Sequence, residues 1–214
     1  IRRVVELRGG DPLRETLNIV PTKDGQKLYR DVDGGYWRAY LFIEDTVTYD
    51  KVESEKDLYN SARAFGKFQQ LLADFPAETL YETIPNFHNT VDRMAKFKEA
   101  LKKDICGRAK DVQKEIEFVL NHEEDTHRLV DLQNAGKLPL RVTHNDTKLN
   151  NVLIDNKTGE GICVIDLDTV MPGLSLYDYG DSIRFGATYA AEDEPDLSKV
   201  NFDLGLFEAY TKGY

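Results

Sequence analysis

Two segments of the chain carry residue types that together suit phosphoryl transfer. The first, at residues 143–151, reads THNDTKLNN, and the second, at residues 164–168, reads VIDLD. The first contains the spacing H-x-D-x-K-x-x-N, and the second is an apolar run that ends in D-x-D. Phosphoryl transfer needs a carboxylate that orients the attacking hydroxyl, a cation near the migrating group, and oxygen ligands for Mg²⁺. The two segments supply all of these groups and therefore predict a kinase active site.

Within the first segment, Asp146 is the predicted general base, because a carboxylate in a tight loop can point into a cleft and accept a proton. His144 is expected to hold the backbone of this loop. Lys148 is expected to reach the transferring phosphoryl group, with a solvated lysine as the alternative. Asn151 offers an amide oxygen to Mg²⁺. A surface turn rich in Asn and Asp explains Asp146 alone but not the whole spacing.

The second segment adds carboxylates at the end of a predicted apolar strand. Asp166 is predicted to bind Mg²⁺ between the protein and the phosphates. Asp168, at the next alternate position, is expected to share a second metal or to support the loop. Further along, Asp178 and Asp181 are expected to stabilise the catalytic loop rather than to do chemistry. A strand end capped by acids is the alternative, and the nearby first segment weakens it.

The composition restricts the kinds of partner. The 214 residues have a formal net charge of -10 and contain no basic stripe with interleaved aromatics, so nucleic acid is not expected as a partner. No signal peptide and no apolar run long enough to span a membrane is evident, so no membrane partner is expected either. The only cysteines, Cys106 and Cys163, make no disulfide framework, which favours a reducing cytoplasm.

Other polar residues are expected to be structural or at the surface. His88, His122 and His127 show no metal-ligand spacing with one another or with the cysteines. The acidic run EDE at residues 192–194 is expected to be a solvated loop.

The pattern of elements predicts an α+β protein. A helix end stops at Gly9 and Gly10, and residues 16–44 predict a three-stranded antiparallel meander with a hairpin turn at residues 23–26. Three helical segments follow. They are expected to begin near residues 54, 89 and 109. Short strands return at residues 140–143, 151–155 and 161–166, so both chemical segments lie on loops at strand ends.

These motifs resemble the aminoglycoside phosphotransferase and choline kinase-like superfamily. That superfamily has the loop H-x-D-x-x-x-x-N, here at residues 144–151, a strand ending in I-D, here at 165–166, and a Y-D pair, here at 177–178. Longer strings resemble its N-acetylhexosamine 1-kinase branch. They are RVTHNDTKLNN at residues 141–151, VIDLDTVMPG at 164–173, LADFP at 72–76 and IPNFH at 84–88.

The resemblance covers nearly the whole chain and implies a protein-kinase-like fold. Residues 1–45 would be part of an N-lobe, with a helix end, the three-stranded sheet and a hinge. Residues 46–214 would be a helical C-lobe with a catalytic β-hairpin, truncated at its C-terminus. The phosphate-covering Gly-rich loop and the phosphate-binding lysine of such kinases are absent from the chain and would lie before Ile1. A fragment of this kind is expected to be weakly active or inactive alone.

The resemblance also implies an activity. It points to ATP- and Mg²⁺-dependent phosphorylation of the anomeric hydroxyl of an N-acetylhexosamine, so that ATP and an amino sugar are the expected partners. Asp146 would be the base, and Asn151 and Asp166 would be the metal ligands.

The remaining site residues follow from the same resemblance. Phe42, Ile43 and Glu44 would form the hinge beside adenine. Thr169 could face the sugar, and Arg184 is a candidate for the acceptor side.

Other functions remain as alternatives. Choline, homoserine and aminoglycosides are acceptors for enzymes with the same catalytic loop. The segment VIDLDTV at residues 164–170 also fits the D-x-D of haloacid-dehalogenase-type phosphatases, in which the first Asp is phosphorylated. A non-catalytic pseudokinase is a third alternative, whereas a protein kinase is disfavoured because no DFG or APE segment follows.

Overall fold

The computed structural model describes all residues from 1 to 214 and consists of eight α-helices and nine short β-strands. The helices are α1 (Arg2–Leu7), α2 (Pro12–Glu15), α3 (Glu55–Leu71), α4 (Thr90–Lys103), α5 (Gln113–Asn121), α6 (Glu123–Asn134), α7 (Ser175–Gly186) and α8 (Leu204–Gly213). The strands are β1 (Ile19–Val20), β2 (Tyr29–Arg30), β3 (Tyr36–Trp37), β4 (Ala39–Tyr40), β5 (Thr46–Val47), β6 (Arg141–Thr143), β7 (Val152–Asp155), β8 (Gly161–Val164) and β9 (Met171–Gly173).

The first helix ends as its sequence predicts. Gly9 has a φ of 71°, a left-handed conformation that glycine adopts without a steric penalty. The N–H of Gly10 then donates to the carbonyl of Val5 at 3.0 Å, which satisfies a carbonyl left over at the end of α1.

The predicted meander at residues 16–44 is wrong in its strand pairing. The third predicted strand divides at Arg38 into β3, which pairs with β2, and β4, which pairs with β1. The turn at residues 22–26 forms, because the Thr22 hydroxyl accepts the N–H of Gln26 at 2.9 Å, but the strands on its two sides do not pair. Asp31 instead closes the β2–β3 hairpin by accepting the N–H of Gly35 at 2.7 Å.

Helix α3 is the central support of the larger part of the chain. The Ser54 hydroxyl accepts the N–H of Asp57 at 3.2 Å, which caps the first turn where the sequence predicts it. One face of the helix is buried, also as predicted. The buried apolar residues of this face are Leu58, Ala62, Phe65 and Phe68. The main apolar cluster joins α3 to α7 and α8 through Leu58, Ala62, Phe185, Leu206 and Tyr210.

The single helix predicted from residue 109 is two helices. His122 lies between α5 and α6 with non-helical backbone angles, and its imidazole Nδ1–H donates to the carbonyl of Phe118 at 2.7 Å. The three acids that follow, Glu123, Glu124 and Asp125, favour a new helix N-terminus through the helix dipole.

Two small antiparallel sheets hold the chemical segments. Strands β7 and β8 form the predicted hairpin, and β5 joins it through Thr46 and Val47. Strand β6 pairs with β9. The loops that follow β6 and β8 carry the two predicted motifs. No helix of the structure is both long enough and apolar enough to cross a membrane.

Candidate active site

The loop after β6 is held in place by hydrogen bonds to Asp178 on α7. This carboxylate is 1% exposed and accepts the backbone N–H groups of His144 at 2.9 Å and Asn145 at 2.8 Å, together with Gln69 Nε2–H at 2.8 Å. Burial raises the pKa of the Asp178 carboxyl, whereas the N–H donors favour its ionised form. A carboxylate that accepts three N–H groups fixes the loop backbone to α7 and α3.

His144 joins the two chemical segments. Its imidazole is fully buried and lies edge-on to the rings of Phe65 and Phe68, with centroid distances of 5.5 and 5.9 Å. Nε2–H donates to the carbonyl of Ile165 at 2.8 Å, and Nδ1 accepts the N–H of Asp146 at 3.3 Å. The ring therefore connects the backbone of Asp146 to the residue that precedes Asp166.

Thr147 attaches the middle of the loop to α7. Its N–H donates to Asp181 Oδ2 at 2.9 Å, and its hydroxyl donates to the carbonyl of Asp178 at 2.7 Å. The Ser182 hydroxyl donates to the carbonyl of Thr147 at 3.1 Å. Asp178, Asp181 and Ser182, which lie close together on α7, thus provide hydrogen-bond partners for Thr147.

Asp146, Lys148 and Asn151 converge at the surface of this loop. Asn151 Nδ2–H donates to the carbonyl of Asp146 at 2.8 Å and to its Oδ2 at 3.0 Å. Lys148 Nζ lies 3.8 Å from Asp146 Oδ1. The side chain of Asp146 is about one third exposed, at 32%. The carboxylate is therefore oriented by an amide on one oxygen and presents the other beside a cation.

Asp166 sits two residues after β8 in a strained conformation. Its φ of 55° and ψ of 63° lie in the left-handed region, which non-glycine residues rarely adopt. The residue is exposed, and its carboxylate accepts no hydrogen bond from the protein. Strain of this kind concentrates at functional sites. The fold does not use the Asp166 carboxylate for its own hydrogen bonding.

Asp168 forms an ion pair with Arg38, which lies between β3 and β4. The structure thus places Asp168 against the N-terminal strands rather than against the catalytic loop. Thr169, by contrast, is tied to the loop, since its hydroxyl donates to the carbonyl of His144 at 2.7 Å. Its own carbonyl accepts Asn145 Nδ2–H at 2.9 Å.

The acidic run at residues 192–194 is not a simple solvated loop. Glu192 Oε2 lies 3.0 Å from Lys148 Nζ, and Glu192 Oε1 accepts Arg184 Nη1–H at 3.2 Å. Arg184 also donates from Nε to Asp181 Oδ1 at 3.1 Å. The hydrogen bond to Glu192 raises the pKa of Lys148, and Lys148 lowers the pKa of Glu192. No local sequence signal relates Glu192 to the catalytic loop.

The predicted hinge adjoins the catalytic hairpin. Phe42 is 83% exposed and Ile43 is buried. The Thr46 hydroxyl donates to the carbonyl of Ile43 at 2.9 Å, and Arg14 Nη1–H donates to the carbonyl of Glu44 at 2.9 Å.

An open cavity of about 540 Å³ lies above the loop. Asp146, Lys148, Arg184 and Glu192 line one part of it. Phe87, His88 and Tyr177 also line it.

The residues present include two oxygen donors of the kind that a magnesium site uses. No three His, Cys, Asp or Glu residues converge into a complete protein cage. Asp166 and Asn151, however, offer a carboxylate and an amide oxygen that no hydrogen bond within the protein uses. Mg²⁺ is usually held through one or two carboxylates together with substrate phosphates, and these two donors are of that chemical type.

A sequence model of the phosphotransferase enzyme family matches residues 19–213. The chain belongs to the phosphotransferase enzyme family. Two solved structures are similar to it. A microcompartment-associated aminopropanol kinase has a TM-score of 0.53 and 18% identity over 99% of this chain and 62% of that structure. An amicoumacin kinase in complex with AMP-PNP, Ca²⁺ and Ami has a TM-score of 0.57 and 13% identity over 99% and 58%.

These likenesses confirm the predicted α+β, kinase-like fold of this family. The chain spans about three fifths of the length of the two solved structures, at 62% and 58%. Because the two proteins are described as kinases of different small molecules, the shared fold does not identify the acceptor.

Proposed function

We propose that this chain carries the catalytic centre of a small-molecule kinase, which transfers the γ-phosphoryl group of ATP to a sugar hydroxyl. The observation that carries the proposal is the joint placement of Asp146, Lys148 and Asn151 at the base of an open cavity of about 540 Å³. Family membership supports a phosphotransferase reaction.

Asp146 would act on the acceptor hydroxyl. Because Asn151 Nδ2–H holds Oδ2, the other oxygen, Oδ1, is the one that can accept the proton of the hydroxyl. The acceptor oxygen then forms the new bond to the γ-phosphorus as the bond to the leaving oxygen of ADP breaks. Lys148, 3.8 Å from Oδ1, would offset negative charge where these atoms meet.

Asn151 and Asp166 would hold Mg²⁺, which when bound neutralises charge on the phosphates of ATP. Asp168 could serve a second metal only if its ion pair with Arg38 opened. Phe42, Ile43 and Glu44 would border the adenine, and the exposed ring of Phe42 offers an apolar face for it.

For the acceptor, we infer the anomeric hydroxyl of N-acetylglucosamine or N-acetylgalactosamine. The longer sequence strings support this branch of the family. The charge of the cavity supports it independently, because three acids face three bases there. They are Asp146, Asp181 and Glu192 against Arg93, Lys148 and Arg184. A balanced lining suits a neutral acceptor better than a cationic one such as choline or an aminoglycoside.

The alternative activities receive less support. Strands β7 and β8 are antiparallel, whereas a haloacid-dehalogenase-type phosphatase carries its first Asp after a strand of a doubly wound parallel sheet. A pseudokinase would not require the complete set of Asp146, Asn151 and Asp166. A reducing cytoplasm, where ATP is available, is the proposed location, and both cysteines are free thiols.

The test is a coupled ADP-release assay on the full-length gene product with Mg²⁺-ATP. The acceptors are N-acetylglucosamine, N-acetylgalactosamine, choline, homoserine and kanamycin. We expect turnover of the N-acetylhexosamines and a fall of about 10²-fold or more for the Asp146→Asn variant. Turnover of another acceptor would overturn the sugar assignment, and full activity of Asp146→Asn would overturn the role of this residue.

A further inference from the structure

An aromatic cluster borders the cavity next to the catalytic loop. The imidazole of His88 lies between two rings, 4.6 Å from the centroid of Phe87 and 5.3 Å from that of Tyr177. His88 belongs to the connection between α3 and α4, and Tyr177 lies in the first turn of α7. Two distant parts of the chain therefore meet at this wall.

The polar atoms of these two rings are placed for a ligand. His88 Nε2 lies 3.2 Å from the carbonyl of Asn145. Because a carbonyl only accepts, Nε2 carries the hydrogen, and Nδ1 is left as an acceptor. Neither Nδ1 of His88 nor the hydroxyl of Tyr177 has a hydrogen-bond partner within the protein. Burial raises the pKa of Tyr177, so its phenol is a neutral donor at physiological pH.

Two adjoining cavities share this wall. Phe87, His88, Asn145 and Tyr177 line both the cavity that contains Asp146 and a second, smaller one of about 140 Å³. The second cavity is predominantly polar. Its other polar side chains include Glu82, Asn86, Asn89 and Gln133.

We propose that His88 and Tyr177 form the wall that binds the acceptor, against which a neutral sugar ring lies while its reactive hydroxyl rests at Asp146. This inference rests on the proposed kinase function and assigns residues to its acceptor site. The apolar C–H face of a pyranose packs on aromatic rings, and the Tyr177 hydroxyl and His88 Nδ1 pair with its hydroxyl groups. The smaller amide-lined cavity then receives a polar substituent of the ring, such as an acetamido group.

His88 thus takes part in acceptor binding, whereas its sequence context predicts a residue that is structural or at the surface. The imidazole of His88 is hydrogen-bonded to the carbonyl of Asn145, so the acceptor wall is directly connected to the loop that carries Asp146. A sugar bound at the wall is consequently positioned relative to the residue that precedes Asp146.

The test uses the full-length gene product and two variants, Tyr177→Phe and His88→Ala. Tyr177→Phe keeps the ring and removes only the hydroxyl, so it preserves the fold. Tyr81→Phe is the matched control, because Tyr81 is 87% exposed on the same connection between α3 and α4. The measurements are the KM values for N-acetylglucosamine and for ATP, the rate of ATP hydrolysis without acceptor, and the thermal midpoint of unfolding.

We expect Tyr177→Phe and His88→Ala to raise the KM for the sugar about threefold to tenfold, which is the loss of a neutral hydrogen bond. In Tyr177→Phe the KM for the sugar should rise by a larger factor than the KM for ATP, and Tyr81→Phe should change nothing. An unchanged sugar KM in Tyr177→Phe would contradict the proposed wall, as would a KM for ATP that rises by the same factor as the KM for the sugar. If the wild type turned over no sugar, the proposed function itself would fail, which is a separate result.

Discussion

At the scale of single residues, the loop at residues 143–151 depends on a carboxylate outside it. Asp178 accepts the N–H groups of His144 and Asn145 while it is almost completely buried. Asn145 itself has a φ of 67°. The left-handed turn before Asp146 is therefore stabilised by charge-assisted hydrogen bonds to the carboxylate of Asp178.

We expect Asp178→Asn to lower both stability and activity. An amide has one acceptor oxygen, so one of the two loop N–H groups would face a donor and remain buried without a partner. Such a loss costs about 1–3 kcal/mol of the free energy of unfolding. Urea unfolding measures this change, and ADP release measures the fall in kcat.

The control for this variant is Asp193→Asn. Asp193 is exposed and has no hydrogen-bond or ion-pair partner, so its substitution should leave both quantities within error. Equal stability of Asp178→Asn and the wild type would contradict the anchoring role of Asp178.

Residues in the loop could be predicted from sequence because their spacing is local. The positions of Asp146, Lys148 and Asn151 follow from one short motif. Glu192 and Arg38 could not be predicted as neighbours of the motifs, because each is brought there by tertiary structure. The local sequence around a charged residue in a loop or strand does not indicate which distant residue it will pair with.

At the scale of elements, the catalytic hairpin packs directly on α3. Gly161 begins β8, and a Cβ at this position would lie 2.7 Å from Ala64 Cβ and 3.0 Å from the carbonyl oxygen of Asn60. The Asn60 side chain also donates to the carbonyl of Gly159 at 2.6 Å. The hairpin and the helix approach each other too closely for a side chain at Gly161.

We expect Gly161→Ala to destabilise the protein by about 1–3 kcal/mol, because the helix backbone must shift to accept the methyl group. Gly180→Ala is the matched control within α7. No atom lies within 4 Å of a Cβ at Gly180, so alanine there should stabilise by about 0.5–1 kcal/mol through helix propensity.

Chemical denaturation of the two variants tests this difference. A Gly161→Ala variant as stable as the wild type would contradict the close packing of β8 on α3.

Long periodic elements were predictable from sequence, and short pairings were not. The apolar residues of α3 repeat at helical spacing over several turns, which makes this helix predictable. The structure confirms both the helix and its N-terminal cap at Ser54. Each strand of the N-terminal region has only two residues. Such strands carry too little pattern to specify a partner, and the β2–β3 hairpin depends on side-chain bonds to Asp31.

At the scale of the whole molecule, Arg14 ties the N-terminal segment to the catalytic hairpin. Its guanidinium donates to the carbonyl of Glu44 and to Asp155 Oδ2, each at 2.9 Å. The side chain of Asp155 is only 14% exposed in this pair. Arg63 of α3 and Glu160 of the same hairpin form a comparable ion pair, but with 51% and 58% of their side chains exposed.

We expect Arg14→Ala to lower the urea midpoint of unfolding clearly more than Arg63→Ala does, since exposed ion pairs contribute little. The effect should depend on pH. The backbone N–H of Thr158, with Arg14 as a smaller cause, lowers the pKa of Asp155 below its ordinary value of 3.8. The pair therefore stabilises the fold above that value and is lost as the pH falls through the lowered pKa.

Unfolding curves at pH 7 and at a series of pH values below 3.8 check this prediction. The difference between Arg14→Ala and the wild type should be present at pH 7 and shrink in acid. A difference that grew in acid, or an equal effect of Arg63→Ala, would contradict the structural account.

The most direct measurement is ³¹P NMR of the product formed by the full-length gene product from Mg²⁺-ATP and N-acetylglucosamine. The proposed function predicts a new phosphate monoester signal coupled to the anomeric proton of the sugar, and about a hundredth of that signal or less with Asp146→Asn after the same reaction time. A phosphate attached at another position, or the same signal from Asp146→Asn, would contradict the assignment of this site as an anomeric sugar kinase that uses Asp146.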